Sequence, residues 1–185
     1  MELKDSGNRT SYDSGAMREI GGKGRCDLMP LGIIAEYLSD DILRYIDEYI
    51  YTGNVRKLYA ALDDFSQYYK SNIYTMLLDS AIQYEEGAKK YKERNWEKGL
   101  PLHCYIDSAV RHYFKFKRGD KDEPHDRAFV WNILGAVWTN RNKPELIDLP
   151  FVSSDSVTVT QVDYRELSQE QKAMYTLAAN GTIQK

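Results

Sequence analysis

The chain has 185 residues, 42% of them hydrophobic, a size and content that suit one domain with a sizeable core. A formal net charge of -3 speaks against a dedicated nucleic-acid binder, which usually shows a basic face, and no apolar run approaches the roughly 18 residues needed to span a bilayer. The two cysteines, Cys26 and Cys104, are too few and too far apart for a disulfide framework or a four-ligand zinc site, so a soluble cytoplasmic protein with no nucleic-acid or membrane partner is expected.

Residues 1–26 are polar and punctuated by Gly15, Gly21, Gly22 and Gly24, a spacing that prevents a regular helix and predicts a mobile or ligand-ordered arm. Its Arg18, Lys23 and Arg25 can close over phosphates with side chains and glycine-exposed amides. Asp27 to Pro30 reads as a helix entry before the apolar run Leu31, Ile33, Ile34, Tyr37 and Leu38. A second helix is predicted over Ser39–Tyr51 and ends at Gly53, a residue favoured just past a helix C-terminus. A third covers Val55–Tyr69, and a fourth starts at Ser71-Asn72 and runs towards Glu85-Glu86.

The segment KERNWEKGLP is a loop, broken by Gly99 and Pro101. A helix follows over Leu102–Arg118, then the acidic turn 119–123, then a helix from Pro124 to Asn140. That last helix is apolar on most sides and is expected to be the most buried. Beyond Pro144 the residues 157–162 alternate like a short strand and 168–179 form a helical pattern, together a C-terminal appendage for packing or oligomer contact. The reading is all-α, with an arm (1–26), a helical domain (27–143, including an insertion over about 39–71) and an appendage (144–185).

All three histidines (His103, His112, His125) and all three tryptophans lie between Glu85 and Trp138. Glu85 and Glu86 close one helix pattern, Asp107 opens another, and Asp120, Asp122 and Asp126 flank the third. Carboxylates from neighbouring helices suit Mg2+ or Mn2+, which prefer oxygen ligands and keep waters free for phosphate oxygens. Lys89, Lys90, Arg111 and Arg118 stand about a turn away, as donors for a polyphosphate. Each pair taken alone (Glu85 with Lys89, Glu86 with Lys90, Asp107 with Arg111) also has the spacing of an ordinary surface ion pair. The order His103, His125-Asp126, Asp148 superficially follows that of HD phosphohydrolases, but the intervals are too short for the helices such a site needs. His112 and His125 are expected to hydrogen-bond or help ligate beside the carboxylates. Asn132 is an amide inside the most apolar helix, so it needs a partner from a ligand or a neighbouring helix.

The blocks DSGAMREIGGKGRCDLMP (13–30), EEGAKKYKERNWEKGLP (85–101) and YIDSAVRHYFKFKRGDKDEPHDRAFVWN (105–132) resemble phage dATP/dGTP diphosphohydrolases (MazZ-like), which are related to the all-α MazG pyrophosphohydrolases. The resemblance implies a MazG-like helical bundle and a homo-oligomer (dimer or tetramer). It also implies metal-dependent hydrolysis of a purine nucleotide to monophosphate and pyrophosphate, in the cytoplasm of an infected host cell. One departure stands out. The family's EExxE has Lys89 where its last acid belongs, and its ExxD has His125 and Ala128.

On this reading Glu86 and Asp107, with Glu85 and His125, hold Mg2+ or Mn2+, and Lys89 joins Glu86 and Asp107 in catalysis. Lys90, Arg111 and Arg118 contact phosphates, Trp96 or Tyr91 stacks on the base, Asn95 or Asn132 reads its edge, and His112 also belongs to the nucleotide site. The alternatives are a protein that binds or sequesters nucleotides without hydrolysis and a purely structural helical subunit.

Overall fold

The computed structural model describes residues 9–19, 24–70 and 72–151, with side chains left out for 9, 10 and 17–19. All the described residues fall within the unit Met1–Phe151. The strand expected over 157–162 and the helix over 168–179 lie outside the described residues.

Two short strands, β1 (Arg9–Ser11) and β2 (Met17–Glu19), pair antiparallel. They are followed by helices α1 (Leu31–Leu38), α2 (Asp41–Thr52), α3 (Val55–Phe65), α4 (Ile73–Tyr91), α5 (Leu102–Arg118) and α6 (His125–Asn142). The fold is all-α, with this ribbon as its one β element among the described residues. The ribbon replaces the irregular arm expected from the glycines. Gly15 takes φ +75° at the turn, and its N–H reaches Tyr12 O at 2.7 Å. The turn is fastened to the bundle: the Tyr12 hydroxyl meets Cys104 Sγ at 3.0 Å and Ser14 Oγ donates to Gly99 O at 2.9 Å.

Side-chain caps set the helix starts. Asp40 accepts from Leu43 N at 3.1 Å, so α2 begins at Asp41 rather than at Ser39, which instead ends α1 in the left-handed region. Asn54 caps α3 and Asn72 caps α4 in the same way. The α-helical part of the third pattern stops at Phe65, and Ser66–Tyr69 tighten into a 3-10 turn.

Helix α6 organises the interior. Ten of its residues are buried, from His125 to Thr139, and it takes both α5 and α4 against it. At its closest approach to α5, Gly135 lies under the Tyr105 ring, and a Cβ there would fall within 3.0 Å of three ring atoms. Lower in the same core, Phe65 packs on Phe129 with centroids 4.4 Å apart and also touches Tyr113 and Phe116. The outer side of α4 is different: Tyr74 is 81% and Leu78 71% exposed. No helix among the described residues is long and apolar enough to cross a membrane.

Replacing Gly135 with alanine should lower stability by roughly 1–3 kcal/mol, the usual cost of overpacking a close contact. Gly87→Ala in α4, where a Cβ meets nothing within 4 Å, should be neutral or stabilising by up to about 1 kcal/mol. Urea unfolding of the two variants checks the contrast; equal midpoints would show that the approach of α5 to α6 is looser than described.

Candidate functional site

Helix α4 continues past its packed stretch into a loop whose backbone is unusual. Lys92 and Arg94 both take positive φ, 79° and 55°, and Asn95–Lys98 form a 3-10 turn. Such conformations cost energy in a non-glycine residue and concentrate where a loop holds a functional shape. Here they fold the chain back so that Trp96 meets Tyr84 of α4 and Trp138 of α6, both edge-on.

The result is a cavity of about 390 Å³. Tyr84, Tyr91, Trp96 and Trp131 supply its aromatic walls, with Gly87 and Ala88 leaving room along α4. Asn95 adds an amide, Glu85 a carboxylate, and Lys92 and Arg94 add cations. Of the residues singled out from sequence, Tyr91, Asn95, Trp96 and Glu85 are thus brought together. Tyr84, Trp131, Lys92 and Arg94 escaped that reading. The i, i+4, i+7 spacing of Tyr84, Ala88 and Tyr91 on one side of α4 was the available signal.

The acids at the end of α4 differ from each other. Glu85 is exposed and forms the i, i+4 ion pair with Lys89, which lowers its pKa chiefly through that hydrogen bond. Glu86 turns inward, where Arg127 Nη2 of α6 approaches its Oε1 at 3.5 Å. Its Oε2 is buried with no hydrogen-bond partner, as are Gln83 Oε1 and Ser80 Oγ one and two turns back, and Arg127 Nε across the seam. Buried polar atoms are nearly always paired, so three orphaned oxygens at i, i+3 and i+6 mark a place for a water, an ion or a ligand. An all-oxygen donor set with one carboxylate fits a hard divalent cation such as Mg2+. Lys90 lies with its ammonium 5.3 Å from the Tyr91 ring.

On α5 the chemistry is already engaged. Asp107 Oδ1 accepts from Cys26 N at 2.6 Å, and Oδ2 pairs with Arg111, which also donates to Gly24 O at 2.9 Å. Asp107 and Arg111 therefore clasp the segment before α1 to the bundle. Arg25 chelates Asp27 beside them, which pushes the guanidinium's pKa up. Arg118 pairs with Asp120 at the surface. Asn132 is buried, and its Nδ2 donates to Ala128 O of the same helix at 2.7 Å. Arg18 belongs to β2, with no described side chain, and Lys23 lies outside the described residues.

Two groups of side chains stand close enough to share a metal ion: His112 with Glu123 and His125, and Asp120 with Asp122 and His125. Glu85, Glu86 and Asp107 belong to neither. His112 and His125 face each other through Nδ1 atoms 3.0 Å apart. Glu123 and Asp122 were not singled out as their neighbours, although the acidic run DKDEPH was visible in the sequence.

His103 takes part in neither group. Its backbone N–H, one of the unpaired donors in the first turn of α5, reaches Asp148 Oδ1 at 2.9 Å, and its ring bonds the other oxygen of Asp148. Asp148, with help from Cys104, pushes the imidazole pKa up to about 10. Burial works to raise the Asp148 pKa, but the bonds from His103 hold it below the usual value.

Residues 69–148 match the family model described as dATP/dGTP diphosphohydrolase, N-terminal. This stretch runs from the end of the 3-10 turn after α3 through α4, α5 and α6, and so contains both the cavity and the histidine pair. No curated protein and no solved structure matches the chain.

The ion pair of His103 and Asp148 carries a pH signature. A raised imidazole pKa gives stability that is fully present below about pH 6.5 and lost as pH rises towards 10, while the lowered Asp148 pKa gives stability lost at acid pH. In an NMR titration His103 should titrate near 10 in the parent and return towards 6.5 in Asp148→Asn. An unchanged His103 midpoint in the variant would remove Asp148 as the cause.

Proposed function

We propose that this chain hydrolyses a purine deoxynucleoside triphosphate to monophosphate and pyrophosphate, a reading supported by the match of residues 69–148 to the dATP/dGTP diphosphohydrolase N-terminal model. The observation that carries the reading is the aromatic cavity at the end of α4. Its volume of about 390 Å³ lies in the range of small-molecule sites. Its walls offer flat faces to a flat base, and stacking of this kind is worth about 1–3 kcal/mol per base. Trp96 and Tyr91 hold the base, and the Asn95 amide, with both a donor and an acceptor, reads its edge.

The rim supplies charge of both signs. Lys92 and Arg94 neutralise phosphate oxygens, with Lys90 one turn behind, and stabilise the pyrophosphate as its charge develops. Glu86, through its orphaned Oε2, holds the divalent cation with Gln83 Oε1, and Glu85 stands at the cavity edge as a further oxygen ligand. A cation held by Glu86 and Gln83 would supply Lewis-acid chemistry to the phosphates there. Lys89 keeps Glu85 ionised. Asp107 and Arg111 serve this site as positioning residues, by fixing the segment before α1 against α5.

Sequestration without hydrolysis is the second reading. Lys89 in place of an acid and Arg127 beside Glu86 favour it, because both reduce the negative charge available to a cation.

Purified protein incubated with the four dNTPs and Mg2+ or Mn2+ should release monophosphate and pyrophosphate from dATP or dGTP in preference to the pyrimidines. Glu86→Gln should lower kcat by about a hundredfold, the scale of losing one group that stabilises the transition state. Trp96→Ala should raise KM by roughly tenfold with the helical circular dichroism unchanged. Intact purine dNTP recovered from the protein, with no product, would establish the sequestering reading instead; absence of both turnover and binding would sink both.

A further inference from the structure

The turn between α5 and α6 holds a donor set of another kind. His112, on the last two turns of α5, and His125, the first residue of α6, bring their Nδ1 atoms to 3.0 Å. Glu123 Oε1 stands 3.8 Å from the first and 3.7 Å from the second. These three atoms form a triangle whose two longer edges are too long for good hydrogen bonds. They bracket the separation of about 3.3 Å between ligands of a tetrahedral ion with metal–ligand bonds near 2.0 Å. We propose that His112 Nδ1, His125 Nδ1 and Glu123 Oε1 bind one divalent transition-metal ion of the Zn2+ class, with water in the fourth position.

The surroundings of the pair support that chemistry. His125 is buried, its side chain 1% exposed, and its Nε2 lies 2.8 Å from Asp122 Oδ1. An ionised carboxylate only accepts, so Nε2 carries the proton and Nδ1 presents its lone pair towards His112. This is the carboxylate–histidine–metal arrangement in which an outer carboxylate fixes the tautomer and raises the basicity of the ligand. Asp122 is held in turn from its other oxygen, Oδ2, by Lys115 Nζ at 3.1 Å. In the metal-free protein the Nδ1 contact needs a proton on His112. To bind the ion, His112 must give up that proton from Nδ1.

Three further observations narrow the choice of ion and site. Two nitrogen donors to one oxygen disfavour Mg2+, which wants oxygen ligands and retains its waters, and favour zinc and its neighbours. The other group, Asp120 with Asp122 and His125, would use the Nε2 already given to Asp122, and Asp120 is tied to Arg118. Lys115 also approaches Glu123 Oε1 at 3.7 Å, so the bound ion must outcompete one ammonium. The ion would clamp the end of α5 to the start of α6. It is independent of the nucleotide reading, whose cation sits on the oxygens of α4.

The test uses the full chain stripped with a chelator and then titrated with Zn2+ or Co2+ alone. One ion per chain should bind, Co2+ should show the visible absorption of a tetrahedral site, and Zn2+ should raise Tm. Excess Mg2+ should not displace either ion. His112→Ala and Glu123→Gln should each weaken binding by tenfold or more, and Asp122→Asn by about tenfold through the outer shell. His112 is only half-buried, and the metal-free Tm of each variant, compared with that of the parent, separates lost binding from lost folding. If His112→Ala fails to fold, the two carboxylate variants decide. The absence of Zn2+ binding, or binding of the same strength in Glu123→Gln and Asp122→Asn, would overturn the proposal.

Discussion

The contact on which the structure depends is the approach of α5 to α6 where Gly135 sits under the Tyr105 ring. A side chain at 135 would hold the two helices apart, and α6 could no longer bury nearly its whole circumference. Because α6 also receives α4, its position fixes what the other two helices present to each other's neighbours. Trp131 is carried to Tyr84 of α4, and Trp138 to Trp96 in the loop that follows it. At the start of α6, His125 is carried to His112. Both candidate sites are therefore consequences of one packing decision, read along a single helix.

Charge is handled differently at the two places. Around the histidine pair the polar groups are connected: Asp122 links His125 to Lys115, and Glu123 stands by both rings. Along the seam of α4 with α6 they are not, since Ser80, Gln83, Glu86 and Arg127 each leave a buried atom without a partner. A seam of this kind is costly to bury and is tolerated best where binding satisfies it. The contrast is the reason we propose the seam for an oxygen-seeking cation with substrate and the connected cluster for a nitrogen-seeking one.

Much of the fold was legible because its signals are local. The apolar run from Ala128 to Val137 announces a buried helix whatever surrounds it, and Asn54, Asn72 and Gly53 mark helix ends through their own backbone chemistry. The β ribbon was missed because Arg9–Ser11 and Met17–Glu19 carry no alternating apolar pattern; their pairing depends on a turn fastened by Tyr12 and Ser14 to residues over 80 positions away. Side-chain convergence was legible only where one helix or its adjoining loop supplied the partners, as for Glu85, Tyr91, Asn95 and Trp96. Whether Asp107 and Glu86 meet depends on the rotation of α5 and α4 about their axes, which no spacing within either helix encodes. The structure gives Asp107 to Cys26 and Arg111, and Glu86 to Arg127.

The most direct measurement is a crystal structure of the protein with dATP or dGTP carrying a methylene bridge between the α- and β-phosphates, grown with Mg2+. The account places the base in the cavity against Trp96 and Tyr91, the phosphates towards Lys92 and Arg94, and the cation on Glu86. A nucleotide held elsewhere, with that cavity unoccupied and Glu86 still facing Arg127 alone, would contradict it.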